Sequence, residues 1–349
     1  MNHPLANDLD HVLAHTSGIW EDLREARIFV TGGTGFFGCW LAESFVWACD
    51  RLSLKATMTV LTRSPRAFRL KAPHLASHPA IRLVEGDVRS FQTPEPRYTH
   101  VIHGATDASA VLIRERPLLM IDTIVDGTRR VLDFAVAAQA RRFLFTSSGA
   151  VYGPQPQSIT HVPESYTGGP DVSDPQAAYA EGKRLAELLC AIYARQHRMH
   201  CVIARGFAFV GPYLSLSSHF AIGNFIRDCL SGQPIQVRGD GTPFRSYLYA
   251  ADLAVWLWTM LVRGESVRPY NLGSENALPI AEVAAAVALA LNPQNEIRIA
   301  AMPRPGVPAE RYIPSTARVR GELGLGEHVP LQEAIQRTAD WCVRTETVR

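Results

Sequence analysis

Hydrophobic and polar positions follow two different patterns along the first two thirds of the chain. Short runs rich in β-branched and aromatic residues are separated by longer amphipathic stretches, such as 36–49 and 115–138. The runs have the length of buried strands, and the stretches that of crossover helices. Strands that are apolar on both faces and joined by helices form a parallel sheet covered on each side. The pattern therefore predicts an α/β fold, a Rossmann-type doubly wound parallel sheet, with strands at Arg27–Val30, Thr57–Leu61, Ile81–Val84, Val101–His103, Phe143–Phe145 and Cys201–Ala204.

The regular alternation ends near residue 212, after which proline and glycine become more frequent. We expect residues 1–24 to form a helical N-terminal extension and 25–212 a dinucleotide-binding domain. The remainder, 213–349, is expected to be mainly a smaller, partly interleaved substrate-binding region, from which a segment near 245–262 returns to the first domain. The polar, acidic start of the chain does not resemble a secretion signal.

Composition narrows the possible partners. The net charge is +2 among 349 residues, which argues against a nucleic-acid or membrane surface. No apolar run reaches the roughly 18 residues of a membrane span. The six cysteines contain no CxxC pair, which favours reduced thiols and a cytoplasmic location. The twelve histidines show no ligand spacing with cysteines or carboxylates, so no metal site is predicted.

Three glycines, Gly32, Gly35 and Gly38, lie between the first predicted strand and a helical pattern, in RIFVTGGTGFFGCWL. The first permits a tight turn, the second allows the backbone to approach a pyrophosphate, and the third allows close packing of helix on strand. The first helical turn, which contains Phe36 and Phe37, offers N–H groups and the positive end of the helix dipole to phosphates. This order of strand, turn and helix predicts a dinucleotide site.

The end of the second predicted strand bears on the choice between NAD and NADP. An acidic residue there would bind the adenosine ribose hydroxyls, but the chain reads Thr-Arg-Ser at 62–64. Arg63 can instead pair with a 2′-phosphate, which favours NADP; NAD, with Arg63 as a solvated loop charge, is the alternative. Asp87 and Val88 follow the third strand and are candidates for the adenine edge, although Asp87 also fits an ordinary turn.

Tyr179 and Lys183 lie four residues apart in a helical stretch, and Ser148 ends the fifth predicted strand. Alone, a Tyr–Lys pair at this spacing is an ordinary pair of helix neighbours. Strand ends of doubly wound sheets face the cofactor cleft, so Ser148 is expected opposite the pair. A phenol needs roughly 4 kcal/mol to become a base near pH 7, about what an ammonium ~4 Å away supplies at an effective dielectric of ~20. We expect Tyr179 as the base, Lys183 lowering its pKa and Ser148 bonding the substrate oxygen, with Ser147 as a neighbouring candidate or a residue that bonds only backbone.

These motifs, together with GDV, SSGAVYG, RGFAFVGP, GDGTPFRSYLYAADLA and YNLGSE, run from about residue 27 to 320. In them the chain resembles the extended short-chain dehydrogenase/reductase family, within the NAD(P)-dependent epimerase/dehydratase group that acts on nucleotide sugars. The resemblance implies that Ser148, Tyr179 and Lys183 form the catalytic triad and that Ala105, at the end of the fourth strand, lies in the cofactor site. It also implies a homodimer formed by the helices near 115–138 and 176–195, whose apolar stripes would equally suit core-facing helices.

The resemblance further implies a site for the substrate diphosphate. Arg245 matches an arginine of that site, and Arg304 matches a second one less closely, because Val307 stands where an acidic residue is usual. Forked cations suit a diphosphate, although either arginine is also compatible with a plain surface position. Asn224 is a candidate for the same diphosphate or a helix cap.

Departures from the family pattern narrow the reaction. Gly149 and Ala150 stand where the family's 4,6-dehydratases carry an Asp-Glu pair, and related decarboxylases usually keep the acidic residue at the place of Ala150. Elimination and decarboxylation are therefore disfavoured. Ala208 and Ile124 replace common asparagines, which indicates an altered placement of the substrate.

The leading expectation is NAD(P)-dependent redox at a sugar C4 through a 4-keto species, by a 4-epimerase or a 4-ketoreductase. A 4,6-dehydratase is the first alternative, with its acid and base supplied from elsewhere, for example by Glu164 or Asp171. A catalytically inactive dinucleotide-binding sensor or scaffold is the second. A reductase of non-nucleotide substrates is the third, and Arg245 argues against it.

Overall fold

The computed structural model describes residues 3–92, 97–106, 110–218 and 220–345. Its strands are β1 Arg27–Thr31, β2 Thr57–Thr62, β3 Ile81–Glu85, β4 His100–His103, β5 Arg142–Ser148, β6 His200–Gly206, β7 Phe209–Val210, β8 Ile235–Val237, β9 Phe244–Arg245, β10 Leu248–Tyr249, β11 Pro269–Leu272, β12 Leu278–Pro279, β13 Ile297–Ile299 and β14 Arg311–Tyr312. Its helices are α1 Ala6–His15, α2 Phe36–Leu52, α3 Pro65–Lys71, α4 Pro73–Ala76, α5 Ala110–Glu115, α6 Pro117–Ala137, α7 Ala178–His197, α8 Ala221–Leu230, α9 Ala250–Arg263, α10 Ile280–Leu291, α11 Ala317–Leu323 and α12 Leu331–Arg344.

The central layer is a parallel sheet of seven strands, in the order β11-β6-β5-β4-β1-β2-β3. All six predicted strands are present in it, and the α/β prediction of a Rossmann-type sheet is confirmed. The seventh strand, β11, was not predicted, because proline and asparagine are depleted in strands. It occupies the edge of the sheet and begins with Pro269, the position where a strand tolerates a proline.

Helix α9 is the most deeply buried helix of the described chain. Every residue from Ala250 to Val262 is buried, and the helix packs against β5, β6, α2 and α1. A helix that is apolar all round belongs inside a protein rather than on its surface. The N-terminal helix α1 therefore lies on α9 and α2, which ties it to the sheet layer.

The segments after β6 form small sheets around helices α8, α10 and α12. Strand β9 pairs with β12 on one side and β14 on the other, and β8 pairs with β13. Among the described helices, none is both long and apolar enough to cross a bilayer.

Candidate active site

A cavity of about 1400 Å³ lies at the carboxyl ends of the sheet strands and extends to the small sheets. The ends of β1, β2, β4, β5 and β6 contribute to its wall, as do α8, β8, β9 and β14. Ligands of doubly wound sheets bind at this edge. Of the predicted site residues, those that line the cavity are Gly32, Gly35, Phe36, Phe37, Arg63, Asp87, Val88, Ala105, Ser148, Tyr179, Lys183, Asn224 and Arg245.

The glycine turn leaves no space for side chains at two positions. Gly32 has a φ of +72°, and a Cβ there would lie 2.5 Å from the backbone of Gly104. A Cβ at Gly38 would lie 2.2 Å from the Cα of Gly33, so this glycine packs within the turn and does not line the cavity. Gly35 caps α2, whose first N–H groups have no partner inside the helix. The turn therefore points an anion-binding helix end at the cavity.

The end of the cavity beside β2 and β3 carries more cations than carboxylates. Arg63, Lys71 and Arg89 line it, and Lys71 Nζ donates to the carbonyl of Thr34 in the glycine turn at 2.9 Å. Arg89 holds the Asp87 carboxylate through two hydrogen bonds of 2.9 and 3.2 Å, which lowers the pKa of Asp87.

Lys183 is the most deeply buried member of the triad. Its Nζ donates to the Thr146 carbonyl at 2.8 Å and to Thr106 Oγ1 at 3.0 Å, and lies 6.0 Å from the centre of the Tyr179 ring. Ser148 Oγ accepts from the Ala150 N–H at 3.2 Å. The structure thus brings the three predicted catalytic residues to one wall of the cavity.

Burial dominates the protonation of this wall. It lowers the pKa of Lys183 to about 7 and raises that of Tyr179, against which the hydrogen bond with Ser148 acts in the lowering direction. Lys183 Nζ makes its hydrogen bonds to Thr146 and Thr106, and burial outweighs any lowering of the Tyr179 pKa by this ammonium. Tyr179 therefore needs further positive charge before it can act as a base.

Ser147 has a side-chain partner, in contrast to the expectation that it bonds only backbone. Its hydroxyl donates to Glu187 at 2.5 Å, and Glu187 forms a buried ion pair of 2.6 Å with Arg205. These contacts engage the Ser147 hydroxyl away from Tyr179, whereas the Ser148 hydroxyl bonds Tyr179 and lies beside Tyr312.

Tyr312 is a cavity residue that the sequence analysis missed. Its hydroxyl lies 3.4 Å from Ser148 Oγ, and its ring packs at a tilt against that of Phe207, with centroids 4.6 Å apart. A Cβ at Gly149 would lie 2.8 Å from this hydroxyl and 2.7 Å from Phe207, so the two rings fill the space of a side chain at position 149. Only the register of β14 against β9, which pairs Tyr312 with Arg245, brings this tyrosine to the triad.

Carboxylates are scarce in the cavity. Among its described lining residues they are Asp87 and Asp228, and both already pair with neighbouring arginines. Glu164 is buried beside the N–H of Asn271 at 2.8 Å, and Asp171 accepts two hydrogen bonds from Ser173 on the surface. Since neither Glu164 nor Asp171 lines the cavity, the idea that they supply the acid and base of a dehydratase is wrong for this structure.

Arginines line the end of the cavity that faces the small sheets. Arg227, Arg238 and Arg245 all reach it, and Arg245 lies between the Phe244 carbonyl at 2.8 Å and Glu310 at 3.6 Å. Arg304 is exposed outside the lining; the pKa of the nearby Asp240 is lowered mainly by its hydrogen bonds with Thr242, to which the charge of Arg304 adds a smaller effect.

Asn224 lines the cavity but is also engaged locally. Its amide donates to the carbonyls of Ser218 and Phe220 at 3.0 and 3.2 Å, and its oxygen accepts from Arg227 at 2.9 Å. The side chain therefore braces the loop before α8 against Arg227, and no side-chain cap is present at the start of this helix, so the predicted role as a helix cap is not seen.

The two asparagine replacements lie in different places. Ala208 lines the cavity beside the aromatic residues Phe207 and Phe209, so it leaves an apolar surface there. Ile124 is buried against Gly182, where a Cβ would lie 3.2 Å from its Cδ1. It is thus a packing residue next to the triad helix.

Comparison with known proteins connects this geometry to a family. The model of the NAD dependent epimerase/dehydratase family matches residues 28–273. UDP-glucuronic acid decarboxylase 3 of Arabidopsis thaliana is 30% identical over 310 residues, which are 88% of this chain and 86% of that protein.

Solved structures of this fold cover nearly the whole chain. UDP-glucose 4-epimerase of Thermus thermophilus, in complex with NAD, superposes with a TM-score of 0.72 at 25% identity, over 90% of this chain and 98% of its own. The dTDP-glucose 4,6-dehydratase DesIV of Streptomyces venezuelae, with NAD and TYD bound, has a TM-score of 0.78 at 24% identity, over 92% and 98%.

Proposed function

This chain belongs to the NAD dependent epimerase/dehydratase family, as its motifs predicted, and we propose that it catalyses redox at C4 of a nucleotide sugar through a 4-keto species. The family is one of NAD-dependent, nucleotide-sugar modifying enzymes. The observation that carries the proposal is one cavity with a phosphate-binding turn at one end, arginines at the other and Ser148, Tyr179 and Lys183 between them.

The residues at the glycine turn fit a dinucleotide. Gly32 and Gly38 have no space for a Cβ, so the turn stays tight enough to aim the N-terminus of α2 at a pyrophosphate. When bound, the nicotinamide would supply the hydride acceptor and donor for the sugar carbon.

Tyr179 is the group that moves the proton. In oxidation its phenolate takes the proton of the C4 hydroxyl, and in reduction its phenol returns one to the ketone oxygen. Ser148 hydrogen-bonds the same oxygen and keeps it beside Tyr179. Lys183, with its pKa near 7, holds Thr106 and the Thr146 carbonyl and adds positive charge below that pH.

The scarcity of free carboxylates favours redox without elimination. Expelling water from C5 and C6 needs a base and an acid beside those carbons. Gly149 and Ala150 offer neither, and the lining carboxylates Asp87 and Asp228 are paired with arginines. A 4-epimerase or a 4-ketoreductase needs only the proton shuttle of Tyr179.

NADP is the dinucleotide that we propose for this site. The end of β2 carries Arg63 and no acidic residue, and Lys71 and Arg89 line the same end of the cavity. A 2′-phosphate would gain charge-assisted bonds there. Exchangeable NADPH in turn favours the ketoreductase over the epimerase.

The cofactor preference has its own test. We expect Arg63→Ala to raise the KM for NADPH about tenfold, because it removes one charge-assisted hydrogen bond. The KM for NADH should stay within twofold. Equal losses with both cofactors would contradict the proposed role of Arg63.

Decarboxylation is the second candidate, since the relative in Arabidopsis thaliana is named a UDP-glucuronic acid decarboxylase. Oxidation of a uronic acid at C4 gives a β-keto acid, and such acids lose carbon dioxide without help from a carboxylate side chain. The same Tyr179 step would then precede the loss.

One experiment separates the candidates. The purified chain is incubated with a panel of nucleotide hexoses, their 4-keto derivatives and a nucleotide glucuronic acid, with and without NADPH, and the products are identified by mass and NMR. We expect C4-inverted sugars or C4-reduced products. Release of carbon dioxide from the uronic acid would favour decarboxylation, a 4-keto-6-deoxy product would contradict the proposal, and absence of turnover on the whole panel would favour the inactive sensor.

We also propose a homodimer through α6 and α7. Helix α7 exposes an apolar stripe, in which Leu185 is 44%, Leu188 55% and Ile192 39% exposed. We expect Leu188→Glu to halve the molecular mass in solution, whereas Leu289→Glu on α10 leaves it unchanged. A cytoplasmic location is our proposal from the cysteine pattern alone.

A further inference from the structure

Three histidines that are far apart in the sequence lie together beside the N-terminal helix. His11 and His15 are one turn apart on α1, and His328 lies in the segment before α12. One ring nitrogen of each lies within 4.8 Å of those of the other two. None of them lines the large cavity, so the proposed redox reaction does not use them.

A buried carboxylate fixes two of these rings. Asp252 Oδ1 on α9 lies 3.0 Å from His11 Nε2 and 3.2 Å from His328 Nδ1. Its Oδ2 accepts the backbone N–H groups of His328 and Val329 at 2.9 and 3.0 Å. An ionised carboxylate only accepts hydrogen bonds, so the two ring nitrogens that face it carry hydrogens. The other nitrogen of each ring is left with its lone pair.

The third ring is oriented in the same way by a carbonyl. His15 Nδ1 lies 2.9 Å from the carbonyl oxygen of His11, to which it donates. Its Nε2 is thereby left with a lone pair. All three rings thus have one nitrogen held by an acceptor and the other open, which is the arrangement of metal-ligating histidines.

We propose that His11, His15 and His328 form a site for a divalent transition metal of the zinc class, with Asp252 orienting two of the ligands. Zinc sites with three histidines leave a fourth position for water. Ligand nitrogens around tetrahedral zinc lie about 3.3 Å apart, and one nitrogen of each ring already lies within 4.8 Å of the other two, so the three rings are close enough to share one ion after a change of ring orientation. His15 and His328 are exposed and free to make this adjustment.

The site would connect three parts of the chain. His11 and His15 belong to α1, Asp252 to the buried helix α9, and His328 to the segment that leads into α12. A bound metal would therefore clamp the N-terminal helix to the C-terminal segment. Sequence spacing did not reveal the site, because the third ligand lies more than 300 residues after the first two.

A second group of histidines provides a matched control. His3 and His74 both direct Nε2 at the buried Glu43 carboxylate, at 3.3 and 2.8 Å, and the Tyr213 hydroxyl donates to the same carboxylate. This group has only two histidines, so its third ligand would be the Glu43 carboxylate itself, whose oxygens are already satisfied by three donors. We therefore place no metal in this group.

The test uses the untagged chain, stripped with a chelator and titrated with Zn²⁺ and Co²⁺. We expect one equivalent per chain, a visible Co²⁺ spectrum typical of tetrahedral coordination, and a rise in unfolding temperature on adding Zn²⁺. His15→Gln and His328→Gln should each weaken Zn²⁺ binding at least tenfold and abolish the temperature rise, while His74→Gln should change neither.

The exposed position of His15 allows metal binding to be separated from folding in its variant. Because His15 is at the surface, its metal-free variant should unfold at the temperature of the metal-free parent, whereas His328→Gln also loses the contact with Asp252 and is judged by its Zn²⁺ affinity alone. The proposal is overturned if the parent binds no Zn²⁺ at tenfold excess, if His15→Gln binds as tightly as the parent, or if His74→Gln loses as much affinity as His15→Gln.

Discussion

The two ends of the large cavity are built from different chemical groups, one from backbone and the other from side chains. The end at α2 consists of backbone: Gly32 and Gly38 have no space for side chains, and the helix supplies its N–H groups. The end at the small sheets consists of long side chains, among them Arg227 and Arg245, which already contact Asp228 and Glu310. A backbone site offers one fixed shape, whereas paired arginines must exchange partners when a ligand arrives. The fixed end suits the part of the ligand set that stays constant, the dinucleotide, and the adjustable end suits the substrate.

The largest expected effect lies where the two ends meet. Tyr179→Phe removes the only proton shuttle of the proposed reaction, so kcat should fall by about a thousandfold, at the middle of the range for general acid–base catalysis. Tyr193→Phe is the control on the same helix, since Tyr193 bonds Asp133 away from the cavity. It should keep kcat within twofold. Similar losses in both variants would mean that α7 as a whole, rather than the phenol, supports activity.

Substitution at the fixed end should lower the stability of the fold. Alanine in a helix is normally favoured over glycine by about 1 kcal/mol, but in Gly38→Ala the new Cβ would meet Gly33 at 2.2 Å. We expect a loss of about 3 kcal/mol in the free energy of unfolding, measured by urea titration, together with weaker dinucleotide binding. Unchanged stability would show that the turn can move, and the contrast between the two ends would disappear.

Substitution at the adjustable end should lower the affinity for the substrate and leave the stability of the fold unchanged. Arg245→Gln should raise the KM for the nucleotide sugar about thirtyfold, the value of a lost charge-assisted bond of about 2 kcal/mol. Unfolding and cofactor binding should stay as in the parent. Arg304→Gln, at an exposed position outside the lining, should raise this KM less than threefold. The reverse order of the two variants would place the diphosphate elsewhere.

Tyr312 tests whether the substrate side reaches the triad. Tyr312→Phe keeps the ring contact with Phe207 but removes the hydroxyl 3.4 Å from Ser148 Oγ. We expect kcat to fall about tenfold, as for one neutral hydrogen bond, with the unfolding temperature unchanged. A kcat equal to that of the parent would make Tyr312 a packing residue only.

The most gradual expected effect concerns the pH dependence of stability. The pKa of Lys183 is about 7 in the folded chain, below the ordinary value of about 10.4 in the unfolded chain. Between these values the unfolded chain binds the extra proton, so stability rises with pH through this group. The free energy of unfolding of the parent should therefore gain up to about 1.4 kcal/mol per pH unit over that of Lys183→Met between pH 7 and 9. Parallel curves would show that Lys183 stays charged.

The sequence allowed the fixed end to be predicted more fully than the adjustable one. Strand, turn and helix at 27–52 follow each other directly, so local rules located Gly32 and the start of α2. Tyr312 follows Ser148 by more than 160 residues in the chain, and only the pairing of β14 with β9 brings the two together. The partner of Ser147 is likewise a matter of packing, because Glu187 lies on the next helix and bonds across to β5. Such contacts depend on register and burial, which no local pattern records.

Strand β11 illustrates the same limit within the sheet. Its sequence, PYNL, contains two residues that disfavour strands, yet the open edge of β6 offers it a full ladder of hydrogen bonds. The tertiary environment outweighs local propensity here. The histidine cluster beside α1 depends in the same way on the position of a distant segment.

The most direct measurement follows the hydrogen at C4 of the sugar. A nucleotide sugar carrying deuterium at C4 is mixed with the enzyme and oxidised dinucleotide under single-turnover conditions, and the isotope is traced by mass spectrometry. We expect slower turnover than with the protonated sugar, deuterium on the nicotinamide ring, and no transfer in Tyr179→Phe. Turnover at an unchanged rate with all deuterium retained on the sugar and none passing to the cofactor would contradict it.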